Sequence, residues 1–266
     1  MITTGPPAVI TIGVDPEFHL GPLTLAWHGI TIALGIGVAF LVALRWVRSR
    51  GLHPDPLFEL AGLLALGGLV GGRVFYVLEH GGPLFGTRGF TFDGGFILAG
   101  LLLAFEVRRR HLDIRYLDAI ALWLPLGVAI GRIGDVINGE HYGAVSTAFY
   151  AVRNSSPDAL TPNSQLAYEN GGLFEVVLAL FVLSAMLVLQ RHLRRPGDLA
   201  WAVVGLFAFG RFFEFFLRSD SPELALGLSN AQWTSVVLVA AALIGRSIAV
   251  RRAEADPRRD RPGPPL

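Results

Sequence analysis

The sequence predicts an all-α integral membrane protein with seven transmembrane helices, and three observations carry that reading. Hydrophobic side chains make up 52% of the 266 residues and charged ones only 16%, outside the balance of a soluble domain. The apolar residues fall in seven long runs rather than being spread along the chain. The 22 basic residues, every one an arginine, gather at alternate ends of those runs.

Residues 1–20 carry no lysine or arginine, and the apolar patch at 8–14 is too short and wrongly flanked for a secretory signal. The N-terminus is therefore expected to be retained. The apolar runs follow at 21–46, 57–78, 90–107, 117–137, 172–189, 199–217 and 228–250, most of them long enough to cross a hydrocarbon core of about 30 Å as helices. The third is the weakest, because Asp93, Gly94 and Gly95 interrupt its start. Arginine placement decides for it. If all seven runs cross, 16 of the 22 arginines fall on one side, in clusters at 45–50, 108–115, 191–195 and 246–261. Omitting the third run puts the 108–115 cluster on the opposite side, against the positive-inside tendency. The expected topology has the N-terminus outside and the C-terminus in the cytoplasm.

The expected domain organisation is one membrane domain over 1–250 and a solvated, unfolded cytoplasmic tail over 251–266. The loop at 139–171, polar but rich in tyrosine and phenylalanine, reads as a small extracytoplasmic cap between helices four and five. The glycine pairs Gly67/Gly71, Gly68/Gly72 and Gly127/Gly131 have the GxxxG spacing that lets helix backbones approach in lipid. The chain has no cysteine, which excludes disulfides, zinc thiolate sites and a cysteine nucleophile of its own. No metal, cofactor or nucleic-acid partner is expected.

The stretch GRIGDVINGEHYG, Gly131 to Gly143, places Arg132, Asp135, Asn138, Glu140 and His141 at the outer end of the fourth run. An arginine or carboxylate near the middle of a membrane helix costs about 2.5–3.5 kcal/mol on insertion scales, so one that persists has a partner or a substrate. In the expected topology Arg73, Arg132 and Arg211 all lie in the outward halves of their helices, near His28 of the first run and Asp93 of the third. Several guanidinium groups at outer-leaflet depth suit a phospholipid phosphate, because the planar fork binds it bidentately and stays charged. The competing account is that each arginine locks helices through a carboxylate, as Arg211 could with Glu214 at i+3. His28 and His141 are the side chains whose ordinary pKa suits a base near neutral pH, though a lone histidine beside Trp27 also has a plain packing account.

GRIGDVINGEHYG resembles the signature of the prolipoprotein diacylglyceryl transferases, and the likeness extends to LAWHGITIALGI, GGRVFYVL, the DGG at Asp93, QLAYE, GRFFEFFLRSDS and LSNAQ. The resemblance implies a seven-helix enzyme that moves the diacylglyceryl group of phosphatidylglycerol onto the lipobox cysteine of a preprolipoprotein signal peptide. It implies Arg132 and Arg211 as the essential arginines, with Glu140, Asn138 and Gly143 matching the signature's Glu, Asn and Gly. The expected catalytic set is Arg132, Arg211, Glu140, His28 and His141. The expected lipid-binding set is Arg132, Arg73, Asn138, Gly143 and Asp135.

The chain also departs from the family pattern. Asp135 stands where the signature has Asn, His28 where the family has a frequent Tyr, and Ala99 in the register of a histidine that many members carry. Glu214 follows Arg211 by three residues where the family spaces them by four. These departures keep open a second function, a non-catalytic paralogue of the same fold that binds lipid or lipoprotein.

Overall fold

The computed structural model describes residues 9–85, 89–221 and 223–255. Seven long helices dominate them: α1 Trp27–Ser49, α2 Asp55–His80, α3 Phe92–Arg109, α4 Arg115–Asn138, α5 Gly171–Leu189, α6 Asp198–Glu214 and α7 Asn230–Glu254. Six are long and apolar enough to cross a membrane. The exception is α3, which has 18 residues and includes Asp93, Glu106, Arg108 and Arg109.

Two helix starts differ from the expected ones. The first run was expected to be helical from residue 21, but 23–26 form a strand, β3, that pairs antiparallel with β2 (Glu17–Leu20) around a turn at Gly21 with φ of 62°. A glycine in the left-handed region followed by proline favours that turn over a helix. Likewise α7 starts at Asn230 rather than 228, after a short hairpin of β7 (Glu223–Ala225) and β8 (Leu228–Ser229). Ser229 caps it, accepting from the Gln232 amide while the Gln232 side chain accepts from the Ser229 amide. The expected tail begins as helix, since α7 continues to Glu254. Its remainder, 256–266, lies outside the described residues.

The chain between α4 and α5 folds as part of a four-stranded sheet in the order β1-β5-β6-β4, with β4 Tyr142–Val145, β5 Val152–Asn154 and β6 Tyr168–Asn170. Its edge strand β1, Ile10–Ile12, comes from the N-terminus and pairs parallel with β5. Asn154 of β5 donates through Nδ2 to the carbonyls of Val136 and Ile137, at 2.8 and 3.0 Å. Those are among the last carbonyls of α4, which have no partner inside the helix. The sheet thus fixes the end of α4 that carries the signature.

Helix α4 is central and packs against α1, α5 and α6. Association of helices in lipid gains little from the hydrophobic effect, so close backbone packing must supply it. The glycines meet that need. Gly35 of α1 faces the Gly127 carbonyl of α4 so closely that a Cβ would not fit, and Gly71 of α2 does the same against Gly94 of α3. Gly67 abuts Ala99 across the α2–α3 seam. Ala99 is 3% exposed there, so an imidazole at this position would have to push α2 aside. At the end opposite the signature, Leu44, Val47, Leu57, Leu60, Leu103 and Val107 form one apolar core, and Asp118 of α4 accepts from the amides of Gly197 and Ala200 at the start of α6.

Candidate active site

The polar side chains converge where the C-terminal ends of α4 and α6 meet the N-terminal ends of α1, α3 and α5. Arg132, on the next-to-last turn of α4, is paired with Asp135 one turn further on and with Glu175 in the second turn of α5. Glu175 has no exposed surface, and it also pairs with Arg211 near the end of α6. Arg211, itself buried, reaches Asp93 of α3 at 3.3 Å. Phe92 lies between the two arginines, its ring centroid 5.3 Å from the Arg132 guanidinium carbon and 4.7 Å from that of Arg211. The two guanidinium groups are therefore within about 10 Å of each other, and two unit charges at that spacing repel by about 1.7 kcal/mol at an effective dielectric of 20. Glu175, in contact with both, reverses the sign.

Asp135 is the second hub. It is 1% exposed, and its Oδ1 lies 2.5 Å from His28 Nδ1, while the other oxygen serves Arg132. Gly134 allows this contact, because a Cβ there would run into Thr31 and the His28 backbone. Thr31 completes the seam by donating to the Gly131 carbonyl at 3.0 Å. Gly172, at the start of α5, brings that helix against Asp135 in the same way.

Beyond the helix end, Gly139 adopts φ of 74° and its amide bonds back to the Asp135 carbonyl, ending α4 with a left-handed glycine. Asn138 donates to Glu140 Oε1 at 2.9 Å, and its own Oδ1 is buried with no hydrogen-bond partner among the described residues. His141 follows with φ of 60°, a conformation that costs a non-glycine residue about 1 kcal/mol or more. That turn brings its Nε2 to 3.3 Å from Arg132 Nη1 and 3.6 Å from Asp135. Its Nδ1 lies between Arg218 at 2.7 Å and Asp220 at 3.1 Å, so the tautomer decides which of them it bonds.

These last groups lie outside the helices, and their ionisation follows their surroundings. Burial pushes the His141 imidazole below its ordinary value, Arg218 and Arg132 push the same way, and Asp220 opposes them. Burial raises the Asp220 carboxyl, but bonds from His141 and Arg218 outweigh it and hold Asp220 well below the usual carboxylate range.

The family model described as prolipoprotein diacylglyceryl transferase matches residues 17–247. The chain belongs to the prolipoprotein diacylglyceryl transferase family. Among curated relatives, each called phosphatidylglycerol--prolipoprotein diacylglyceryl transferase, the one from Frankia casuarinae is 34% identical over 253 residues, 90% of this chain and 61% of that protein. The chain thus spans less than two thirds of that relative's length. The relatives from Staphylococcus saprophyticus and Erythrobacter litoralis are 29% and 30% identical, over 94% and 90% of this chain and 95% and 89% of theirs. With its six membrane-capable helices, this family member is a multi-pass protein of the bacterial inner membrane.

Of the residues the sequence singled out, His28, Arg132, Asp135, Asn138, Glu140, His141 and Arg211 stand together in this family member. Arg73 is placed differently: its guanidinium donates to the carbonyls of Pro83, Leu84 and Gly89, in the connection between α2 and α3. Gly143 has a packing reason, since a Cβ there would collide with the Leu217 carbonyl. The pairing of Arg211 with Glu214, the competing account for that arginine, gives way to Glu175 and Asp93, and both Glu214 oxygens are buried without a hydrogen bond among the described residues.

Sequence reasoning overlooked Glu175, Arg218 and Asp220. Glu175 could have been found, as the only ionisable residue in the apolar helix at 171–189. His28, Asp135 and Glu140 also bring donor atoms within 4.8 Å of one another, a set that fits a divalent cation by type. Both Asp135 oxygens, however, already serve His28 and Arg132.

Proposed function

We propose that this protein transfers the diacylglyceryl group of phosphatidylglycerol to the cysteine thiol of a preprolipoprotein lipobox. The observation that carries the proposal is the pair of buried arginines from α4 and α6, joined through one glutamate beside a histidine–aspartate pair, at one end of the helices of a family member. All seven helices cross the bilayer, α3 included, with the N-terminus outside, the C-terminus in the cytoplasm, and the sheet formed with 139–171 as an extracytoplasmic cap. The arginine clusters on the opposite side support that orientation.

In the reaction the thiol gives its proton to a base and the sulfur attacks the glyceryl carbon that bears the phosphate ester. A carbon–sulfur bond forms, the carbon–oxygen bond breaks, and its electron pair leaves on oxygen as glycerol phosphate. Arg132 and Arg211 hold the phosphate and stabilise the charge that grows on it. A thiol with a pKa near 8.5 is only a few per cent ionised at neutral pH, so a base or a cationic field assists. We assign the base to His28, whose Nδ1 is held by Asp135 and whose side chain is 38% exposed, leaving Nε2 for the thiol. His141, pressed between Arg132 and Arg218, orients the mouth of the site. Glu140 and Asn138 line it, Gly143 lets the strand after it approach, and Arg73 steadies the α2–α3 connection at its margin.

The test is complementation of a bacterium depleted of its own transferase, together with a purified assay using phosphatidylglycerol and a lipobox peptide. Growth, and a peptide mass increased by one diacylglyceryl group, are expected. A well-folded protein that gives neither overturns the proposal in favour of a non-catalytic lipid binder.

A further inference from the structure

Glu175 lies one helix away from the signature, and among the described residues it is the only carboxylate paired with both Arg132 and Arg211. Its carboxylate pairs with Nε of the first and Nη1 of the second. The remaining partners differ: Arg132 is shared with Asp135, and Arg211 with Asp93. Arg132 makes these contacts through Nε and Nη1, and Nε of Arg211 is buried without a hydrogen bond among the described residues. Each guanidinium thus keeps donor capacity, while its orientation is fixed from behind.

An arginine side chain has several rotatable bonds, so two of them meeting one phosphate must either be fixed beforehand or be ordered when the lipid binds. Two cations around Phe92 would also repel each other apart from the carboxylate between them. We propose that Glu175 is a positioning residue, a buried carboxylate that holds Arg132 and Arg211 as one preorganised two-arginine clamp for the lipid phosphate. The inference rests on the phosphate-binding reading above and adds to it the residue that makes the two arginines a single site. The side chain itself touches neither phosphate nor thiol. Its removal would let the two guanidinium groups separate and turn to other acceptors, Glu214 among them, whose buried oxygens have no hydrogen bond among the described residues.

The test compares Glu175→Gln, which keeps the volume and removes the charge, with Glu175→Asp, which keeps the charge on a shorter arm. Both are purified in nanodiscs with the parent protein and measured in two ways. One is the kcat and KM for phosphatidylglycerol with a saturating lipobox peptide. The other, independent of turnover, is the preference for retaining phosphatidylglycerol over phosphatidylcholine, read by native mass spectrometry. We expect Glu175→Gln to lower kcat/KM at least tenfold and to abolish the lipid preference, at an unchanged elution profile and helix content, with Glu175→Asp recovering part of both. A folded Glu175→Gln protein with parental kinetics and parental lipid preference overturns the proposal. Should the Gln variant not fold, the Glu175→Asp variant decides, because a merely structural carboxylate predicts parental values for its folded fraction. Should the parent transfer nothing, the lipid preference still decides: if Glu175→Gln alone loses it, the clamp stands and the transferase reading falls.

Discussion

His28 and Asp135, 107 residues apart on α1 and α4, are joined by a 2.5 Å contact between Nδ1 and Oδ1. These are two of the positions at which the resemblance read from the sequence implies a departure, from a tyrosine and from an asparagine, and the two residues form one interaction. A tyrosine hydroxyl and an asparagine amide can share one neutral hydrogen bond. The imidazole and carboxylate that replace them can instead hold a proton between them, the arrangement that orients a base.

The departures should therefore be coupled. His28→Gln is expected to lower kcat/KM about a hundredfold, within the usual range for loss of a general base. Asp135→Asn should cost at least as much, because it also weakens the pairing of Arg132. The double variant His28→Tyr with Asp135→Asn should be at least tenfold more active than the product of the His28→Tyr and Asp135→Asn single effects, a coupling of about 1.4 kcal/mol. A double-mutant cycle on kcat/KM measures it, and strict additivity would show that the pair is not a functional unit.

Arg132 makes a sharper distinction between geometry and charge. Its guanidinium serves Asp135 and Glu175 at once, from Nη1 and Nε. A lysine ammonium is a point charge that cannot span those partners and a phosphate in one plane. Arg132→Lys should fail nearly as badly as Arg132→Ala, with transfer reduced at least a thousandfold while the protein remains folded. Transfer by the Lys variant within tenfold of the parent would show that charge alone suffices.

The helices were legible in the sequence because membrane insertion demands long apolar runs, and each of the seven runs overlaps one observed helix. The strands were not, since three- and four-residue strands paired across the N-terminus and 142–170 leave no period to read. Arg132, Asp135 and His141 could be found from cost alone, because charge in an apolar setting asks for a reason. Arg73 met the same criterion but braces carbonyls of a connection, and only the folded surroundings distinguish those uses. The partnership of His28 with Asp135 depends on the crossing of α1 over α4 at Gly134, a relation between two distant segments that neither segment encodes alone.

The corner formed by His141, Arg218 and Asp220 should make stability depend on pH. Asp220 has a folded pKa below its unfolded value of 3.8, so its contribution is present above that pH and is lost below it, as the pH falls towards the folded pKa. His141 has a folded pKa below 6.5, so the folded state resists protonation and loses stability as the pH falls below that value. Both act in the same direction. Asp220→Asn should lower the thermal midpoint at pH 7 by a few degrees and flatten its decline below pH 3.8, with the decline between pH 6.5 and 4, carried by His141, retained. A parallel decline in both proteins would show that Asp220 does not carry the acid limb.

Orientation can be tested by thiol labelling, since the chain has no cysteine. Ala144 is exposed on β4 in the proposed outer cap, and Ala255 is exposed just past α7 in the proposed cytoplasm. A membrane-impermeant maleimide added to intact cells should label Ala144→Cys and leave Ala255→Cys unmodified until the membrane is opened. The reverse pattern would invert the topology and place the arginine clamp at the wrong leaflet.

Gly134 and Gly35 separate packing from positioning, because both lie in the α1–α4 seam and neither leaves room for a Cβ. At Gly35 the added methyl would press on the Gly127 carbonyl, two helical turns from His28. At Gly134 it would press on Thr31 and on the His28 backbone, next to the contact with Asp135. Overpacking costs about 1–3 kcal/mol at either place, offset in part by the better helix propensity of alanine. Gly35→Ala and Gly134→Ala should therefore lower the thermal midpoint by similar amounts. Displacement of His28 by even 1 Å would break its bond to Asp135, and misplacement of a reacting group on that scale costs about a hundredfold in rate. Gly134→Ala should accordingly lose about a hundredfold in kcat, and Gly35→Ala less than tenfold. Equal kcat losses at equal midpoints would show that the seam serves stability alone.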